Sequence, residues 1–95
     1  MKHCILVKWN SRVTDKAALV PDIRRIFDGT RVIPGIRDVE LLSNIIDRPN
    51  RYDLMIVITM DEAALPAYDA SAPHKEWKET YGTFIESKAI FDYQE

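Results

Sequence analysis

The feature that most constrains this sequence is the segment Tyr52–Met60, which reads YDLMIVITM. It is rich in β-branched and large apolar residues, and a polar connection with Pro49-Asn50 precedes it. This composition and these flanks predict a β-strand. A single strand is not stable by itself, so the rest of the chain must supply the strands that pair with it and the helices that cover the sheet.

Five more elements can be assigned from hydrophobic periodicity and turn signals. They are a strand over His3–Trp9, a helix ending near Asp28, a strand over Ile36–Ile45, a helical region from Glu62 to about Thr83, and a strand over Ser87–Tyr93. The helical region is predicted as two pieces, because Pro73 starts a new helix after a short one that ends at Ala70. The order β-α-β-β-α-β predicts the α+β class with a ferredoxin-like arrangement: one antiparallel sheet with helices on one face.

The first helix contains a proline. Thr14 is the expected N-cap, with Asp15 in the first turn, and Gly29 is the expected stop. Pro21 removes one backbone donor, so a kink, or a restart with Pro21 in the first turn, is expected there.

Size and charge limit the functional classes. The chain has 95 residues and a net charge of 13 − 15 = −2, so we expect a single domain over residues 1–95 and no nucleic-acid partner. The longest uncharged apolar run near the start is Cys4–Val7, four residues, so we expect neither a membrane span nor a signal peptide, and a cytoplasmic protein. One cysteine excludes an internal disulfide, and the spacing of His3 and His74 supports no metal site. No cofactor is expected.

The first strand carries apolar side chains on both faces. Ile5 and Val7 lie on one side, and Cys4 and Leu6 lie on the other. Helices cover one side of a ferredoxin-like sheet, which leaves Leu6 and, on the second strand, Leu42 uncovered. A second copy of the chain is the simplest cover, so a homodimer is expected.

Several short motifs occur in a recognisable order and spacing. They are Lys2-His3, Val32-Ile33-Pro34-Gly35-Ile36, Tyr52-Asp53, Ala67-Tyr68 followed by Pro73-His74, and Ile90-Phe91-Asp92-Tyr93. Together they resemble the stress-responsive dimeric α+β barrel (Dabb) domain family over essentially the whole chain. The resemblance implies a dimer of ferredoxin-like protomers, a dimeric α/β barrel, with a cavity between sheet and helices in each protomer.

The resemblance also implies site residues. In family members of the olivetolic acid cyclase type, which are cofactor-free plant polyketide cyclases, a Tyr and a His six residues apart act on the substrate, and Tyr68 and His74 match them. Residues that would line the cavity and bind substrate are His3, Ile5, Val7, Ile56, Ile58, Trp77, Ile85, Lys88 and Ile90. A neutral imidazole at a helix start can accept a proton α to a carbonyl, and a phenol can donate to the resulting enolate oxygen.

The sequence departs from the family pattern at four positions. Ser71 replaces a histidine, Leu54 replaces the third-strand histidine of the cyclases, and Lys78 and Lys88 replace a small and an aliphatic residue. A cavity with lysines suits a smaller or anionic ligand, so olivetolic acid cyclase activity itself is not expected.

Three functions remain open at this point. The first is a small-molecule-binding protein that acts as a cofactor-independent lyase, cyclase or isomerase, with His74 as base and Tyr68 as proton donor. The second is a non-catalytic ligand-binding or stress-protective dimeric module, in which His74 only caps and packs its helix. The third is a monooxygenase of the antibiotic-biosynthesis type, which shares the dimeric barrel.

Overall fold

The computed structural model describes residues 1–95 as a four-stranded sheet with three α-helices. The elements are β1 (Lys2–Trp9), α1 (Lys16–Asp28), β2 (Ile36–Ser43), β3 (Leu54–Met60), α2 (Leu65–Asp69), α3 (Ala72–Tyr81) and β4 (Ile85–Tyr93). Single 3₁₀ turns follow α1, precede α2 and follow α3. The α+β, ferredoxin-like fold predicted from the sequence is confirmed.

The sheet is antiparallel throughout and has the strand order β2-β3-β1-β4. In the register, Ile5 of the central strand β1 lies between Ile56 of β3 and Ile90 of β4. β4 is an edge strand, so one of its sides has no hydrogen-bonded neighbour. The apolar core lies between the sheet and the helices, where Ile23, Phe27 and Trp77 are almost fully buried.

Helix α1 differs from the sequence-based expectations at its N-cap and at Pro21. Its N-cap is Asp15 rather than Thr14, because the Asp15 carboxylate accepts a hydrogen bond from the Ala18 N–H at 3.3 Å. Pro21 lies inside a continuous helix, so the helix does not restart there, while the kink stays a prediction. The side chain of Pro21 is exposed, and the burial of Ile23 and Phe27 on the opposite face holds the helix together across the missing donor.

The second strand ends earlier than expected, at Ser43 rather than Ile45. The backbone N–H of Asn44 donates to the Asp53 carbonyl at 2.9 Å, and its side-chain amide donates to the Tyr52 carbonyl at 2.8 Å. These bonds close the connection between β2 and β3, and Ile45 points into solvent beyond them.

The predicted helix over 62–70 is a 3₁₀ turn followed by α2. Pro66 falls in the first turn of α2, where its missing N–H has no intrahelical partner to lose.

Strand β4 begins at Ile85, two residues earlier than expected, and contains an irregularity. Lys8 pairs with Ser87 but Trp9 pairs with Ile85, so Glu86 is an extra residue in β4. A bulge of this kind reverses the alternation of side chains along a strand. Ile85 and Lys88 are three positions apart, which in a regular strand would put them on opposite faces, but with the bulge between them both face the helices.

The sheet face opposite the helices is not covered by any element of the chain. Its large apolar side chains include Leu42, Phe91 and Tyr93, with 43%, 64% and 46% of their surface exposed.

None of the helices has the length and the apolar character that a membrane span requires.

Candidate functional site

A cavity of about 290 Å³ lies between the inner face of β1 and β4 and the helices α2 and α3. Its walls are formed by His3, Ile5, Leu65, Tyr68, Asp69, His74, Trp77, Lys88, Ile90 and Asp92. Seven of the eleven predicted site residues are among them. The cavity combines an apolar floor with titratable groups, which is the usual character of a small-molecule site.

The short connection between α2 and α3 sets the positions of Tyr68 and His74. The Ser71 hydroxyl donates to the Tyr68 carbonyl at 2.7 Å and accepts from the backbone N–H of His74 at 3.3 Å. Ser71 thus ends one helix and caps the next. As a result the rings of Tyr68 and His74 meet edge to face, with centroids 5.0 Å apart.

Tyr68 is the most deeply buried polar residue of the cavity. Its side chain is 1% exposed, and its hydroxyl has no hydrogen-bond partner in the protein. Burial raises the pKa of Tyr68 well above its ordinary value, and the Asp69 carboxylate adds to this. The phenol therefore stays protonated at neutral pH and is a free donor for an acceptor atom of a ligand.

His74 is held in its neutral form. The pKa of His74 is lowered, chiefly because partial burial disfavours the imidazolium, and the positive charges of Lys78 and Lys88 lower it further. The carboxylate and backbone carbonyl of Asp69 act in the opposite direction. The direction matches the sequence-based expectation, but burial, rather than the helix start, is its main cause.

His3 also contacts the Tyr68 ring edge to face, with centroids 5.4 Å apart. It is 6% exposed, and its Nδ1 is hydrogen-bonded to the Asp92 carboxylate across the β1–β4 pair. The sequence predicts His3 only as a residue that lines the cavity and binds substrate. The partner in the structure is Asp92, which fixes the orientation of the imidazole.

Four predicted site residues do not reach the cavity wall. Val7, Ile56 and Ile58 have no exposed surface and form the core beneath the helices. They share the inner face of the sheet with Ile5, but that part of the sheet is fully buried in the core. Ile85 is half-buried at the start of β4, opposite Trp9, and packs against the core.

Three cavity residues were missed from the sequence: Leu65, Asp69 and Asp92. Asp92 follows Lys88 and Ile90 on the same strand side, so period-2 alternation could have found it. Leu65 precedes Tyr68 by three residues on one helix face, which is a similar signal. Nothing in the sequence marked Asp69 apart from its position beside Tyr68. No group of three or more His, Cys, Asp or Glu side chains is arranged to hold a metal ion.

A second hollow, of about 200 Å³, lies between α1 and the β2–β3 connection. Its charged groups are already paired: the Lys16 ammonium lies 2.7 Å from Asp53 and 3.3 Å from Asp47. Hydrogen bonding to Asp53 raises the pKa of Lys16. Asp53 also accepts from the Trp9 N–H at 2.8 Å. These contacts stabilise the loop and leave no reactive group free.

Fold and cavity together define a class: small ferredoxin-like α+β proteins with a His- and Tyr-lined cavity between the sheet and its helices. The chain belongs to the Stress responsive A/B Barrel Domain (Dabb) family, whose model matches residues 1–95. The family recognised from the sequence motifs is thereby confirmed. A search of curated proteins found no match.

Solved structures with this fold come from several organisms. A Dabb-family protein from Mesorhizobium loti is 18% identical, with a TM-score of 0.74 over 99% of this chain and 94% of that one. A dimeric ferredoxin-like protein of unknown function from Thermobifida fusca is 17% identical, with a TM-score of 0.80 over 99% and 89%. The hydroxynitrile lyase of Passiflora edulis is 14% identical, with a TM-score of 0.74 over 97% and 89%. At these identities the likeness concerns the fold.

Proposed function

We propose that the protein is a homodimer that binds a small organic molecule in the cavity of each protomer and acts on it as a cofactor-independent lyase, cyclase or isomerase. The observation that carries this proposal is the Tyr68 hydroxyl, a buried donor without a partner on a ring that contacts two histidines. A buried unsatisfied donor costs about 1–3 kcal/mol of stability. A ligand oxygen that accepts from Tyr68 would remove this cost.

The chemistry proposed is proton transfer next to a carbonyl group. Neutral His74 accepts a proton from the carbon adjacent to the carbonyl, and the electrons of the broken C–H bond form the enolate. Tyr68, whose raised pKa keeps it protonated, donates a hydrogen bond to the oxygen on which the charge develops. Return of the proton from His74 to another atom, or loss of a neighbouring leaving group, completes an isomerisation or an elimination. Among the structural neighbours, a hydroxynitrile lyase supports the lyase class.

The homodimer is proposed from the uncovered sheet face. Leu42, Phe91 and Tyr93 expose large apolar surfaces there, and Leu6 and Met55 lie between them in the register. A contiguous apolar sheet face on a chain of this size is typical of an interface. The structural neighbour from Thermobifida fusca is itself described as a dimeric ferredoxin-like protein.

The proposal is tested by hydrogen–deuterium exchange at a carbon acid. 2-Oxohexanamide in D₂O is monitored by proton NMR for loss of the protons next to the ketone, with and without protein. We expect the protein to accelerate exchange, His74→Gln to abolish the acceleration, and Tyr68→Phe to reduce it about 100-fold or more, the typical effect of removing one oxyanion donor.

Tyr52→Phe is the matched control, since Tyr52 lies in the β2–β3 connection away from the cavity. Exchange that is no faster with protein than without it, or that is unaffected by His74→Gln, contradicts the proposed chemistry.

A further inference from the structure

Only some lysines of this protein form ion pairs with carboxylates. The chain has six lysines, and four of them have a carboxylate within 4.0 Å: Lys2, Lys8, Lys16 and Lys75. The two without a carboxylate at that distance are Lys78 and Lys88. Some arginines are unpaired as well, but only Lys78 and Lys88 among the unpaired cations line the cavity or the hollow beside it.

Both unpaired lysines lie near His74. Lys88 is on the inner side of β4 and forms part of the cavity wall. Lys78 follows His74 by one helical turn and lines a shallow polar hollow that shares His74 with the cavity. Each of the two charges lowers the pKa of His74, which independently places both within electrostatic reach of the ring.

No carboxylate nearby forms an ion pair with either lysine. Asp92 is hydrogen-bonded to His3, Glu79 lies 3.9 Å from Lys75, and Asp69, the other carboxylate of the cavity wall, has no lysine or arginine within 4.0 Å. Lys88 is therefore a cation of the cavity wall without a carboxylate partner, and the cavity of about 290 Å³ that it lines together with Tyr68 has room for a small ligand.

We propose that the ligand of this cavity is a small carboxylate that also carries a carbonyl or hydroxyl oxygen. Its carboxylate pairs with Lys88, with Lys78 adding to the positive potential, and its second oxygen accepts from Tyr68. Its apolar part lies against Ile5, Ile90 and Trp77. This inference rests on the proposed function for the location of the site, and it adds the charge of the ligand.

The test compares an acid with its neutral isostere. Dissociation constants of 2-oxohexanoate and 2-oxohexanamide are measured by NMR titration of the wild type and of three single variants, Lys88→Gln, Lys78→Gln and Lys75→Gln. We expect the wild type to prefer the acid. Lys88→Gln should weaken acid binding about three- to fivefold and leave amide binding unchanged, as for a partly exposed ion pair. Lys78→Gln should have a smaller effect of the same kind.

Lys75→Gln is the matched control, because Lys75 is on the same helix as Lys78 and is paired with Glu79. It should change neither constant. Equal losses for acid and amide in Lys88→Gln, an effect of Lys75→Gln as large as that of Lys88→Gln, or no binding of the acid at millimolar concentration would each overturn the proposal.

The two proposals fail in different ways. Catalysed exchange in 2-oxohexanamide, without any preference for the acid, leaves the proton-transfer chemistry standing and refutes the anionic ligand. Lysine-dependent preference for the acid, without catalysed exchange of either compound, supports the anionic ligand and refutes the chemistry.

Discussion

Removal of a single oxygen atom, in Tyr68→Phe, should make the ligand-free protein more stable. The hydroxyl is buried without a partner, so the folded state bears a desolvation cost of about 1–3 kcal/mol that the unfolded chain does not. The ring contacts with His3 and His74 are kept by phenylalanine. At the lower end of that range the free energy of unfolding rises by about 1 kcal/mol, which corresponds to roughly 4–8 °C in Tm for a domain of this size.

The assay is urea or thermal unfolding at one fixed protomer concentration, since the stability of a dimer depends on concentration. Tyr81→Phe is the control, for which the opposite change in the free energy of unfolding is expected. The Tyr81 hydroxyl donates to the Asp22 carboxylate at 2.6 Å, and the same substitution there should lower the free energy of unfolding. If Tyr68→Phe destabilises the protein as Tyr81→Phe does, the Tyr68 hydroxyl is satisfied in the free protein and cannot be the donor reserved for a ligand.

Three further perturbations address the interface, the histidine and the first helix. Phe91→Glu puts a charge on the uncovered sheet face and should convert the proposed homodimer to a monomer in sedimentation velocity; a dimer that persists would exclude that face as the interface. The pKa of His74 is lowered in the folded state, so the unfolded chain takes up a proton first as the pH falls. The free energy of unfolding should therefore decrease below about pH 6.5, and a urea titration series should show less of this slope in His74→Gln; an identical slope contradicts the lowered pKa. Pro21→Ala restores a donor for the Ala17 carbonyl inside α1 and should raise the free energy of unfolding by about 1–2 kcal/mol in urea denaturation. A lower free energy of unfolding in the variant would show that Pro21 stabilises the folded protein.

The sheet was predictable because its strands carry strong apolar signals. Period-2 alternation placed the inner row of β1 correctly, from His3 to Trp9, and all of it is buried. Boundaries were less predictable, because they depend on local hydrogen bonds. Asn44 ends β2 through its bonds to the end of the β2–β3 connection, and Asp15 rather than Thr14 caps α1 through its carboxylate.

The cavity was predictable only in part. The family motifs indicated Tyr68 and His74, and the structure brings them together, while their role stays a prediction. Alternation showed that Val7 and Ile5 share a face, but it carries no information on how far the helices cover that face. The bond between His3 and Asp92 joins residues 89 positions apart, and no local pattern in the sequence reports such a pair.

The extra residue in β4 has a consequence for how proteins of this fold can change. Through it, Lys88, Ile90 and Asp92 lie opposite Val7, Ile5 and His3, while Ala89 and Phe91 point to the uncovered face. If β4 continued from Ile85 in strict alternation at its present length, Ala89 and Phe91 would line the cavity and Lys88 would face outward. Deletion of Glu86 would instead make the pairing regular and leave every inward side chain in place. A one-residue shift of register within β4 would thus bring apolar side chains to the cavity wall and put a lysine on the outer face of the sheet, without any substitution.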